Sequence, residues 1–190
     1  MYITILLSAL IATTLAAPRP QKVEQTTGKD PAWQPATGTT ATCDKDTDKT
    51  VGFYVGPQLE TVVNDACAAM LPRCAYQDRL PADTICIQPI DWPLNGPKSS
   101  TQSANVETKD GNKISGWKVK FAVTPGAQPE DSAGVFWTVQ DCYGYFAYLL
   151  EEWEPKGCHR QEGFGVGSIT VGDAVSLKGT VFEVTIVAEQ

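Results

Sequence analysis

The sequence predicts an α+β sandwich stapled by disulfides, with two helices packed on one face of a mainly antiparallel sheet. Three observations carry this. Two segments repeat apolar residues at helical spacing. Several others alternate apolar and polar residues, as half-buried strands do. Six cysteines follow an apolar N-terminal run. An even cysteine count in an exported chain points to three disulfides, and sequence alone does not choose the pairing.

The elements follow in chain order. Residues 1–16 of "MYITILLSALIATTLAAPRP" read as a signal peptide. The uncharged run is shorter than the roughly 20 apolar residues of a membrane span, and the small residues Thr14 and Ala16 suit cleavage after Ala16. Residues 17–42 are rich in Pro, Thr, Gly and Gln, with Trp33 the only large aromatic, and read as a flexible arm. Residues 43–190 then have the size of one domain. No later segment is suited to span a membrane, because the C-terminal run carries Glu183 and Glu189.

Within that domain, "VGPQLETVVNDACAAMLPRC" reads as a helix entered at Pro57 and ended by Pro72. Leu59, Val62, Val63, Ala66, Met70 and Leu71 form its apolar stripe, with Cys67 at the edge, positioned to reach a strand. "DTICIQPIDW" reads as a short strand, and residues 93–103 as a loop of turn formers. Residues 104–123 read as a hairpin turning at Asp110 and Gly111. Its outgoing strand puts Trp117, Val119, Phe121 and Val123 on one face. Residues 124–134 are a second loop. After "VFWTVQDCYGYFAYLLEEWEPKGCH", the remaining chain gives two or three strands broken by glycines.

That aromatic stretch reads as a helix starting near Val139, capped by Thr138 with Asp141 in a variant of the capping box. At 100° per residue, Val139, Cys142, Phe146, Leu149, Leu150 and Trp153 share the inner face. Gln140, Gly144, Ala147 and Glu151 lie opposite. Asp141, Tyr145, Tyr148 and Glu152 form a strip between them, and this strip is the candidate partner-binding surface.

The chemistry read from composition is mostly exclusion. The net charge is −7 and the basic residues are dispersed, which disfavours nucleic acid and anionic membrane surfaces. Adjacent glutamates on one helix diverge, whereas a glycosidase needs two carboxylates facing each other. Cys158 beside His159 is expected to be oxidised and so cannot act as a thiolate. A single histidine leaves little scope for a transition-metal site, and the glycine-rich "GFGVGS" has neither the spacing nor the position of a phosphate loop. No catalytic residue, metal or cofactor is expected. Cys43, Cys67, Cys74, Cys86, Cys142 and Cys158 are all expected in disulfides.

"FYVGPQLETVVNDACAAM", and "VQDCYGYFAYLLEEW" followed by "GC", resemble secreted fungal effectors of the necrosis-inducing-factor type and are similar to killer-toxin-like α/β sandwiches. The chain carries more cysteines than the core of the necrosis-inducing type. The resemblance implies a fungal source, export into a host or competitor environment, and virulence through binding, with no catalytic residues. The expected function is therefore that of a secreted, non-enzymatic effector or toxin that binds a host extracellular protein or glycan. A secreted hydrolase of polysaccharide or protein is the alternative, and it needs carboxylates, or His159 and a nucleophile, gathered in one cleft. An extracellular protease inhibitor is a further alternative, with residues 93–103 and 124–134 as its candidate loops.

Overall fold

The structure is a computed structural model that describes residues 33–52, 56–87, 89–173 and 176–189. The expected signal peptide, residues 1–16, and residues 17–32 of the expected arm lie outside the described residues. In chain order the elements are β1 (Thr40–Cys43), β2 (Lys49–Val51), α1 (Leu59–Met70), β3 (Trp92–Pro93), β4 (Lys98–Gln102), β5 (Val106–Thr108), β6 (Trp117–Thr124), β7 (Phe136–Trp137) and α2 (Val139–Glu151). Four strands follow: β8 (His159–Arg160), β9 (Gly163–Phe164), β10 (Gly167–Thr170) and β11 (Val181–Ala188).

The main sheet runs β1-β10-β11-β6-β4, antiparallel throughout. Its register puts Phe121 opposite Val184, Val123 opposite Phe182, and Phe182 opposite Ile169. Residues paired this way share a face. That face, with Val119, is fully buried beneath the helices. Lys120 and Glu183 emerge on the other side, as the alternation in "WKVKFAVT" requires. A smaller sheet, β5-β2-β9-β8, and the pair β3-β7 complete the domain. The molecule is a disulfide-stapled α+β sandwich, as its sequence predicts.

Both helices form where the apolar spacing places them. In α2, Thr138 caps the helix: its hydroxyl accepts from the Asp141 N–H at 3.0 Å, and its own N–H donates to the Asp141 carboxylate at 2.9 Å. Phe146 packs edge-on against both Phe121 and Phe182, with ring centroids 5.2 Å apart in each case. The first helix begins at Leu59, not at Pro57, with Gln58 extended at the N-cap, and buries Val62, Val63, Ala66, Cys67 and Met70. Cys67 reaches a helix rather than a strand: it bonds Cys142 of α2. The other bridges join Cys43 to Cys158 and Cys74 to Cys86, so all six cysteines are paired. Three intramolecular disulfides are a framework typical of extracellular proteins.

Four expectations change. The domain does not begin at Cys43. Trp33 packs on the core, and β1 pairs with β10 as an edge of the main sheet, so residues 33–42 belong to the fold and not to a free arm. Composition concealed this, because an edge strand tolerates polar residues that a central strand does not. The expected loop at residues 93–103 contains β4, the opposite edge, for the same reason. Of the expected strand over "DTICIQPIDW" only Trp92, the first residue of β3, is in a strand among the described residues.

The hairpin over residues 104–123 is also altered. The turn is present: Gly111 has φ 74°, and its N–H donates to the Thr108 carbonyl at 2.9 Å. Its return arm ends at once, where the Ile114 N–H meets the Val106 carbonyl. The chain then bends at Gly116, and β6 joins the main sheet while β5 pairs with β2. The turn is fixed locally, but the long apolar face of β6 is buried only against the helices.

Candidate functional site

The tyrosine strip of α2 is the first surface to test, and most of it faces inward. Tyr145 is only 3% exposed. It stacks on Phe182 and meets Trp33 edge-on, both at 4.9 Å between centroids, and its hydroxyl accepts from the Ala36 N–H at 3.3 Å. The Asp141 carboxylate is spent on the helix cap, where it also accepts from the Thr138 hydroxyl at 2.8 Å. Tyr148 is half-buried, edge-on to Trp33 at 6.5 Å. Glu152 sits at the helix end, its N–H donating to the Tyr148 carbonyl. Tyr145 is therefore part of the core, which corrects its assignment to a contact surface, while Asp141, Tyr148 and Glu152 stay partly exposed.

The cause is Trp33. It lies against Gly144, where any Cβ would collide with the indole. The helical repeat marked Gly144 and Ala147 as outward-facing, and both are buried. The segment before β1 covers the side of α2 that the sequence left open. Trp33→Ala should uncover it and cost about 2 kcal/mol, less than a fully buried Trp would. Urea unfolding checks this, and a loss below about 0.5 kcal/mol would show that Trp33 is not part of the packed domain.

Burial also raises the phenols. Desolvation holds Tyr145 above its ordinary value near 10 despite the Ala36 hydrogen bond, and raises Tyr76 further. A folded-state value above the unfolded one stabilises the domain fully below pH about 10, and the contribution is lost as pH rises past it. Melting temperatures should fall above about pH 10. Tyr145→Phe should flatten that fall while costing about 1 kcal/mol near neutrality for the lost hydrogen bond. An unchanged alkaline slope would remove Tyr145 from the explanation.

The hydrolase alternative needs converging acids. Two shallow hollows among the described residues are the places to look for them. One, about 350 Å³, is lined by Asp65, Arg73, Tyr76 and Arg79 among others. The second, about 240 Å³, is lined by Thr42, Lys45, Glu154 and their neighbours. Each contains one carboxylate, and each carboxylate is held by an arginine at 2.8 Å: Asp65 by Arg79, and Glu154 by Arg160. Neither hollow offers two facing carboxylates. His159 is engaged as well: its Nδ1 lies 2.8 Å from the Glu151 carbonyl oxygen, to which it donates, and its ring stacks on Trp153 at 4.0 Å. Trp153 itself is 59% exposed, not on the inner face. Its helix ends at Glu151, so the helical repeat no longer governs it. Among the described residues, no three His, Cys, Asp or Glu side chains gather in a group able to hold a metal ion.

The conspicuous feature lies elsewhere. Ile85, Ile87 and Ile90 are exposed at 94%, 90% and 92%. They sit on the loop between the 3-10 turn Gln77–Arg79 and β3, and Cys86 is tied back to Cys74 in the 3-10 turn Arg73–Ala75. Ala75 and Tyr76, beside that anchor, are buried in the core. The two isoleucines flank the tethered cysteine, so the bridge turns the apolar side of the segment toward solvent. Sequence reasoning missed the loop by reading "DTICIQPIDW" as a short strand. The available signals were the short spacing from Cys74 to Cys86 and the prolines at 81, 89 and 93. From Leu80 to Pro97 the chain has Asp83 and Asp91 but no Lys or Arg. The two loops expected to serve an inhibitor show no comparable display: residues 93–103 contain β4, and residues 124–134 carry no large apolar side chain.

Among the described residues, no helix is long and apolar enough to cross a membrane. Comparison with protein-family models, with curated proteins and with solved structures returns no match.

Proposed function

We propose that this chain is a secreted, non-enzymatic effector- or toxin-like protein that acts by binding a host macromolecule, an extracellular protein or glycan. The observation that carries this reading is the isoleucine loop. Three large aliphatic side chains held almost wholly in water are each worth roughly 1.5–3 kcal/mol on burial, and the fold leaves that energy unused. The covalent tether supports the same reading, because a loop held in place loses less entropy when it docks. The hydrolase alternative gains no support from the two hollows, each with a single arginine-held carboxylate.

The test compares the oxidised mature protein with Ile85→Ser/Ile87→Ser/Ile90→Ser, both immobilised and exposed to host extracellular fluid. The wild type should retain components that the triple variant does not. The variant should melt with the wild type, since exposed substitutions usually change stability by less than about 0.5 kcal/mol. Identical retention by both proteins would sink the loop as the contact surface.

A further inference from the structure

We propose that residues 85–87 form an inhibitory strand that occupies the substrate cleft of an extracellular serine endoprotease with an aliphatic specificity pocket. This rests on the binding reading above and names its partner.

The first argument is phase. Ile85 and Ile87 stand two residues apart on the outer side, and Cys86 between them turns back to Cys74. That alternation is the side-chain phase of an extended strand. The second is the backbone. Among the described residues, no backbone hydrogen bond involves Ile85, Cys86 or Ile87. Each carries a donor and an acceptor that a partner strand can satisfy. Proteins that bind an extended peptide do so by strand addition, with main-chain hydrogen bonds for affinity and pockets for alternate side chains. A protease cleft reads its substrates in this way.

The third argument is covalent. The bond after Ile85 lies inside the ring closed by Cys74 and Cys86. Hydrolysis there would leave both ends tied to one body. The bond after Ile87 lies outside that ring, but the disulfides from Cys43 to Cys158 and from Cys67 to Cys142 still link the two parts. A cut chain therefore remains one molecule with its strand in place, as an inhibitor requires and an ordinary substrate does not.

Chemistry narrows the enzyme. β-branched aliphatic side chains fit a small apolar pocket, and the absence of Lys and Arg between Leu80 and Pro97 leaves nothing for the acidic pocket of a trypsin-type enzyme. Asp83 and Asp91 favour a cleft with a neutral or basic rim. They also oppose docking on an anionic membrane.

The experiment follows hydrolysis of a short Ala/Val chromogenic peptide by an elastase-type serine endoprotease, with trypsin as the second arm, in the presence of the oxidised mature protein. Competitive inhibition of the elastase-type enzyme is expected, with an inhibition constant at or below about 1 μM and no effect on trypsin. Ile85→Asp and Ile87→Asp should each weaken it about tenfold or more while melting with the wild type. Cys74→Ala/Cys86→Ala should weaken it too and be cut in the loop. Three results would overturn the assignment: no inhibition at about 100 μM, inhibition untouched by either aspartate, or turnover of the wild type like an unfolded chain. If inhibition is absent but the serine variant still loses its retained components, the inhibitor assignment falls and the binding reading stands. If the serine variant loses none, both fall.

Discussion

Replacing Cys67 and Cys142 together by alanine should lower the unfolding free energy by about 4 kcal/mol. The bridge spans 75 residues of sequence, and closing a ring of that size removes roughly this much free energy as chain entropy from the unfolded state. Both sulfurs are fully buried where α1 meets α2, so their loss also loosens the contact that holds the helix layer together. Against a typical net stability of about 5–15 kcal/mol, the variant should unfold at a much lower urea concentration. The ring from Cys74 to Cys86 spans only 12 residues and should contribute less. A midpoint unchanged by the Cys67 and Cys142 substitutions would mean that packing alone fixes the two helices.

Phe182→Ala should cost a comparable amount, about 3–5 kcal/mol. Phe182 is fully buried and meets Tyr145, Phe146 and Trp137, at centroid distances of 4.9, 5.2 and 6.3 Å. It therefore joins the sheet to the helix layer, and its removal leaves a cavity that rigid neighbours close only in part. Equilibrium unfolding in urea measures the change. A loss under about 1 kcal/mol would show that the aromatic cluster collapses around the gap.

Where one element decided its own conformation, the sequence was legible. The cap of α2 needs only Thr138 and Asp141, three residues apart, and both hydrogen bonds form as that spacing dictates. The buried face of β6 needs only its own alternation, and Val119, Phe121 and Val123 are buried. The stripe of α1 is similar, with Val62, Val63, Ala66 and Met70 inside. The even cysteine count foretold three bridges.

Where a distant segment decided, the sequence was silent or misleading. A helical projection assumes one buried side, and α2 has two, because Trp33 arrives more than a hundred residues away in sequence to cover Gly144 and Tyr145. The alternation of Ile85, Cys86 and Ile87 is the same whether the isoleucines face a core or the solvent. Only the partner of Cys86 settles the direction. The edge strands β1 and β4 carried no apolar signal, since their place depends on hydrogen bonds offered by β10 and β6.

The sequence by itself determined the class of the fold, the two helices, the buried face of β6 and the number of staples, all set by short-range periodicity and composition. The tertiary structure alone decided which cysteines meet, which side of α2 is covered, and that three isoleucines stand in water. Those outcomes depend on contacts between residues far apart in the chain, and the energy that selects them exists only once the layers have packed.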